Sequence, residues 1–93
     1  MITKWLDNEA LKIWNMHVSK KLPPDIQLRV RTKLIMIDAA LSLNDLRAPP
    51  SNMLEALHGK RKGQYSIRVN DKWRICFIWN DAQVTIVDVV DYH

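Results

Sequence analysis

A single cysteine, Cys76, rules out an intramolecular disulfide and also excludes a four-cysteine zinc site. No apolar run approaches the roughly 18–20 residues of a membrane-spanning helix. The first residues, Met-Ile-Thr-Lys-Trp-Leu-Asp, lack the apolar centre of a secretory signal, so a soluble cytoplasmic chain with no membrane partner is expected. Internal repeats, low-complexity tracts and Gly/Ser-rich linkers are missing too, so no domain boundary is visible. What is present is 93 residues, 47% hydrophobic and 26% charged. That is too apolar for a disordered chain and suffices for one core. One domain over residues 1–93 is expected.

Charge is in modest excess, 14 Lys and Arg against 10 Asp and Glu, but it is concentrated. Residues 58–74 carry Lys60, Arg61, Lys62, Arg68, Lys72 and Arg74 against Asp71 alone, a net +5, which leaves the rest of the chain at −1. A local basic patch suits a phosphate-binding surface. The same residues also serve merely to keep an exposed hairpin soluble. Charge alone does not separate the two.

Apolar spacing changes character along the chain. Residues 2–6 read as a short strand. Asp7 or Asn8 then caps a helix with Leu11, Trp14 and Val18 on one face, which Lys20-Lys21 and Pro23-Pro24 close. A second helix starts at Pro24-Asp25 and buries Ile26, Val30, Leu34, Ile37 and Leu41. After the irregular 47–52 crossing, alternation predicts strands over 53–57, 64–69, 73–79 and 84–91. The basic loop 58–63 joins the first two of these. The fold class is therefore α+β, with two N-terminal helices on one face of a small antiparallel sheet.

The turn after Val69 bears on function. A two-residue loop would set Arg68 opposite Trp73 and mix charged with apolar positions. A three-residue loop (Asn70, Asp71, Lys72) sets Val69 opposite Trp73, Ile67 opposite Ile75 and Arg68 opposite Arg74. Register follows the buried face, so the second is expected. Two arginines then lie side by side, facing outward, which is repulsive unless an anion sits between them. This favours the phosphate site.

From Leu54 to Phe77, through Leu-His-Gly-Lys-Arg-Lys-Gly and Tyr-Ser-Ile-Arg-Val-Asn-Asp-Lys-Trp-Arg, and again at Val-Asp-Tyr-His, the chain resembles the HigB toxins of the RelE/ParE superfamily. Leu43 to Asn52 resembles their plasmid-maintenance branch. The resemblance implies a microbial RNase fold and a type II toxin that cleaves mRNA on the ribosome. It implies a HigA-like helix-turn-helix antitoxin, with operator DNA bound only through the antitoxin complex. On it, Arg68 and Arg74 hold the scissile phosphate, Asp91, Tyr92 and His93 form the acid–base cluster, and Lys60, Arg61 and Lys62 contact RNA, with Lys72 beside them. The His that some HigB toxins carry before the basic loop falls on Glu55, and His58 lies three residues further on. Glu55, His58 or neither joins the site.

An RNase of this kind needs a base for the 2′-OH, an acid for the 5′-oxygen and cations for the phosphate. Arginine suits the last because its planar fork bonds two oxygens and keeps its charge. A free imidazole, titrating near about 6.5, suits His93 to base or acid, and Asp91 to orienting it. Strand alternation puts Asp91 and His93 on one face and Tyr92 on the other. Tyr92 and His93 also fit a frayed chain end. The spacing of Asp88, Asp91 and His93 is unspecific for a metal, and no metal or other cofactor is expected. The four tryptophans read as packing residues, His17 as a surface residue and Cys76 as a small buried hydrophobe. Two alternatives remain: a ParE-like poison of a target such as DNA gyrase, and a plain nucleic-acid-binding module.

Overall fold

The computed structural model describes residues 1–91. Strand β1 (Ile2–Trp5) leads to helices α1 (Asn8–Trp14) and α2 (Pro24–Ala39). Short 3-10 turns at Leu43–Arg47 and Pro50–Asn52 follow, then β2 (Glu55–Ala56), a turn at Gly59–Arg61, β3 (Tyr65–Arg68), β4 (Trp73–Asn80) and β5 (Gln83–Asp91). The five strands form one sheet in the order β1-β5-β4-β3-β2.

The sheet is mixed, not purely antiparallel: β1 runs parallel to β5 at one edge. The connection out of β1 passes through both helices, and a crossover of that length brings a strand back in parallel, as no hairpin can. The Leu6 amide donates to the Ile86 carbonyl at 2.9 Å, and the Ile2 amide to Asp38 Oδ1 at 2.8 Å.

The first helix is shorter than its sequence suggests. Asp7 caps it as expected, its Oδ1 accepting from the Glu9 amide at 2.8 Å, but it ends at Trp14 because Met16 turns left-handed at φ 64°. Beyond that, long-range bonds replace helical ones. Buried Ser19 accepts at its carbonyl from Gln27 Nε2 (2.8 Å) and donates its hydroxyl to Glu9 Oε1 (2.7 Å). Ala10 and Ile13 face inward instead of Leu11 and Val18; Val18 is 78% exposed. Trp14 packs on Trp5 with ring centroids 5.6 Å apart.

On α2, Ile26, Val30, Leu34 and Ile37 are buried as expected, but Leu41 lies beyond the helix end and is exposed, while Ala40 and Leu46 close that part of the core. These side chains meet Ile67, Ile75, Phe77, Val84, Ile86 and Val89 on one face of the sheet. Truncating such a residue to alanine costs about 2–5 kcal/mol, so the stability of the domain resides on this face. The site lies on the other.

Candidate active site

The three-residue register is the one formed. Arg68 pairs with Arg74, Ile67 with Ile75 and Ser66 with Cys76. The Val69 amide donates to the Trp73 carbonyl at 2.8 Å, and Asn70 Oδ1 accepts from the amides of Lys72 and Trp73, both at 2.8 Å. That Asn side chain closes the loop from within. Strand alternation then places Ser66, Arg68, Arg74 and Cys76 together, away from the helices.

The two arginines differ in exposure, which corrects the expectation that both face outward. Arg74 is 8% exposed. Its Nε donates to Ser66 Oγ at 2.8 Å, and its Nη2 to the Met53 carbonyl at 2.5 Å and the Ser66 carbonyl at 3.3 Å. The segment carrying Met53 folds over this part of the sheet, and a long side chain there is buried only when its donors are met. The hydrogen bonds of Arg74 run through Nε and Nη2, and Nη1 makes none among the described residues. Arg68 lies nearer the surface: Nε donates to the Asn70 carbonyl at 2.9 Å, Nη1 meets Met53 Sδ at 3.4 Å, and Nη2 pairs with Asp71.

Between the arginines lies a depression of about 300 Å³ lined by Met53, Glu55, Arg68, Asn70, Asp71 and Arg74. A wider groove of about 1090 Å³ runs from it along α2, past Arg29, Lys33, Lys72 and Trp73. Its volume exceeds the depression's, but only the depression brings both arginines and a second chemical group together. That group is the exposed carboxylate of Glu55, a β2 residue that stands opposite Ser66 of β3 in the strand register. Of the two candidates before the basic loop, Glu55 lines the depression and His58 does not.

Asp91 pairs with Trp73 across β4–β5, and so shares the helix-side face with Val89 instead of lying alongside Arg74, which pairs with Val90. Tyr92 and His93 lie outside the described residues. Lys60, Lys62 and Lys72 are exposed. Arg61 is held: its Nη1 and Nη2 bond Asp88 Oδ1 and Oδ2 at 3.1 and 2.8 Å, and Nη1 also donates to Gln64 Oε1 at 3.0 Å. This bidentate pair ties the basic loop to β5 beside Cys76. Burial, reinforced by the Asp88 charge, pushes the Cys76 thiol up to about 11. Cys76 is therefore expected to resist iodoacetamide at pH 7.5 in the folded protein and to react once the chain is unfolded; mass spectrometry over time checks both. Equal, fast labelling of folded and unfolded protein would show that the thiol is not protected by burial.

Met53 and Ser66 are the site residues that sequence reasoning missed. Both hold arginines, Met53 mainly through a backbone carbonyl that no residue type advertises.

An antiparallel hairpin presenting paired arginines beside a carboxylate, backed by two helices, defines a small α+β domain. Solved structures share the fold: the YoeB–YefM complex from Staphylococcus aureus (TM-score 0.63, 19% identity, 100% of this chain and 95% of that one) and YafQ from E. coli (0.60, 14%, 98% and 91%). In sequence, the chain is 42% identical over 72 residues to Toxin HigB-1 of Vibrio cholerae, covering 77% of this chain and 75% of that protein. It is 32% identical over 91 residues to Endoribonuclease HigB of Proteus vulgaris, covering 97% and 98%. Residues 3–93 match the RelE-like toxin HigB of type II toxin-antitoxin systems, and the chain belongs to that family. A toxin of this family has an antitoxin partner. Among the described residues no helix is long and apolar enough to cross a membrane.

Proposed function

We propose that this toxin is a ribosome-dependent endoribonuclease that cleaves mRNA, and that a HigA-like helix-turn-helix antitoxin neutralises it, the pair together binding operator DNA. The observation that carries the reading is the Arg68–Arg74 pair flanking a depression that also holds Glu55. In the proposed reaction the 2′-oxygen of one nucleotide attacks the adjacent phosphorus. A 2′,3′-cyclic phosphate forms, the bond to the 5′-oxygen breaks, and that oxygen takes a proton. Arg68 and Arg74 Nη1 gather the charge that builds on the phosphate, which leaves no step that calls for a metal. In this reading Glu55 takes the 2′-OH proton and His93 protonates the leaving oxygen, with Tyr92 stacking on a base; Asp91, on the helix-side face, takes no part. A contact poison of gyrase would need no such acid–base set.

Purified toxin added to ribosomes programmed with a defined mRNA tests this. Cleavage of the bound message and not of the free RNA is expected. Intact message together with loss of gyrase supercoiling would reverse the assignment.

Asp71 occupies the Arg68 fork where a phosphate oxygen would sit, and its side chain is 91% exposed. An exposed pair of this kind is worth only about 0–1 kcal/mol, so a phosphate displaces it readily. Asp71→Asn should therefore tighten binding of a non-cleavable oligonucleotide by roughly 2–5-fold at low salt, read by fluorescence anisotropy. Weaker binding would mean that Asp71 orients Arg68 instead of competing for it. Neutralising Lys60 and Lys62 with Arg61 left in place should flatten the salt dependence of ribosome binding by roughly 0.7 per lost contact in log–log slope. An unchanged slope would mark these lysines as solvated bystanders.

A further inference from the structure

We propose that Ser66 and the Lys33–Asn52 pair are positioning residues for Arg74: the pair holds the left-handed turn at Met53, whose carbonyl and the Ser66 hydroxyl together hold the guanidinium with Nη1 free for the phosphate. The inference rests on the arginine-pair reading of the reaction.

Arginine has four rotatable side-chain torsions, so a guanidinium left to itself samples many positions. Here three acceptors confine it, two from Ser66 on the neighbouring strand and one from Met53. The Met53 carbonyl is in place only because Met53 adopts φ 45° and ψ 54°, a conformation that side-chain-bearing residues keep only when their surroundings impose it. The imposing group is its neighbour. Asn52 is fully buried; its amide donates to the carbonyls of Leu46 at 3.2 Å and Ala48 at 3.3 Å, and its Oδ1 accepts from Lys33 Nζ at 2.5 Å. The Met53 amide closes the turn on the Pro50 carbonyl at 3.0 Å.

Lys33 stands on α2, so the chain of contacts runs from the helix layer, around the edge of the sheet, to the face that carries the arginines. Its ammonium is a costly way to fill that place. Burial holds it below the usual lysine range, with the Arg29 charge adding to the effect. A leucine or methionine would fill the space without desolvating a charge. What such a residue would not do is fix the Asn52 side chain, and through it the Met53 carbonyl.

Two near-isosteric variants test this. Ser66→Ala removes the hydroxyl that accepts from Arg74 Nε. Asn52→Asp keeps an acceptor for Lys33 but loses the amide donors that lock the turn. Misplacing a catalytic group by about 1 Å costs up to about 10²-fold, so both are expected to lower kcat for cleavage of ribosome-bound mRNA by roughly 10–100-fold with KM within threefold. Ser66→Thr, which keeps the hydroxyl, should restore most of the rate. A second readout needs no RNA: the Arg74 Nε–Hε resonance in ¹⁵N-labelled toxin should exchange with solvent at least about tenfold faster in both variants. A purely structural role would lower the melting temperature and leave kcat per folded molecule and the Arg74 exchange rate unchanged. That result, in folded Ser66→Ala and Asn52→Asp, overturns the proposal. Wild-type toxin that fails to cleave refutes the ribonuclease reading instead, while the exchange rates still decide whether these residues hold Arg74.

Discussion

Arg68→Ala is expected to abolish growth arrest while leaving the melting temperature within a few degrees of wild type. The hydrogen bonds of this side chain go to its own turn, to Asp71 and to the Met53 sulfur, and none goes to a core residue. Removing one preorganised donor to developing charge costs about 2.7–4 kcal/mol of transition-state stabilisation, or roughly 10²–10³ in rate. Arg68→Lys should rescue little, because an ammonium does not reproduce the two-pronged fork. Arg74→Ala should lose activity to a similar degree but also stability. It strips the Ser66 hydroxyl and the Met53 carbonyl of their donor, at about 1–3 kcal/mol for buried groups left unpaired. The paired arginines are thus expected to be separable by calorimetry, with cleavage lost in both variants. Wild-type cleavage by folded Arg68→Ala would remove the phosphate site from this hairpin.

The second large effect concerns the proton transfers. Glu55→Gln keeps the size and polarity of the side chain but removes the proposed base, and cleavage should fall by at least about 10²-fold, the usual lower value for losing a general base. Ribosome binding should hold or tighten, since a negative charge leaves a phosphate site. His93→Ala should lower the rate by a comparable factor through the leaving-group proton, with thermal stability unaffected. Single-turnover cleavage on programmed ribosomes, with binding measured separately, distinguishes these outcomes. An undiminished rate in Glu55→Gln would pass the base role to His93 or Tyr92, and with it the significance of the depression.

The hairpin register was legible because one pairing alone keeps Ile67, Val69, Trp73 and Ile75 on a common face. The stripe from Ile26 to Ile37 was legible for the same reason, a strong period matched to burial. Other features were hidden because they depend on partners remote in the chain. Helix α1 stops where Ser19 finds Gln27 and Glu9, contacts that no local pattern announces, and Val18 stays exposed although it is apolar. Strand β1 pairs in parallel because of its route through two helices. Arg61 reads as a free basic side chain until Asp88 arrives from β5. The burial of Arg74 depends on a carbonyl at Met53, and a backbone carbonyl is common to every residue. Glu55 was visible as a position but not as a wall of the depression, since that required β2 to lie against Ser66.

The most direct measurement maps mRNA 5′ ends across the transcriptome of cells after brief induction of wild-type toxin or Arg68→Ala. New 5′-hydroxyl ends inside translated reading frames, abundant with wild type and absent with Arg68→Ala, are predicted. Growth arrest by wild type with no new ends inside reading frames would contradict cleavage of translated mRNA by the arginine pair.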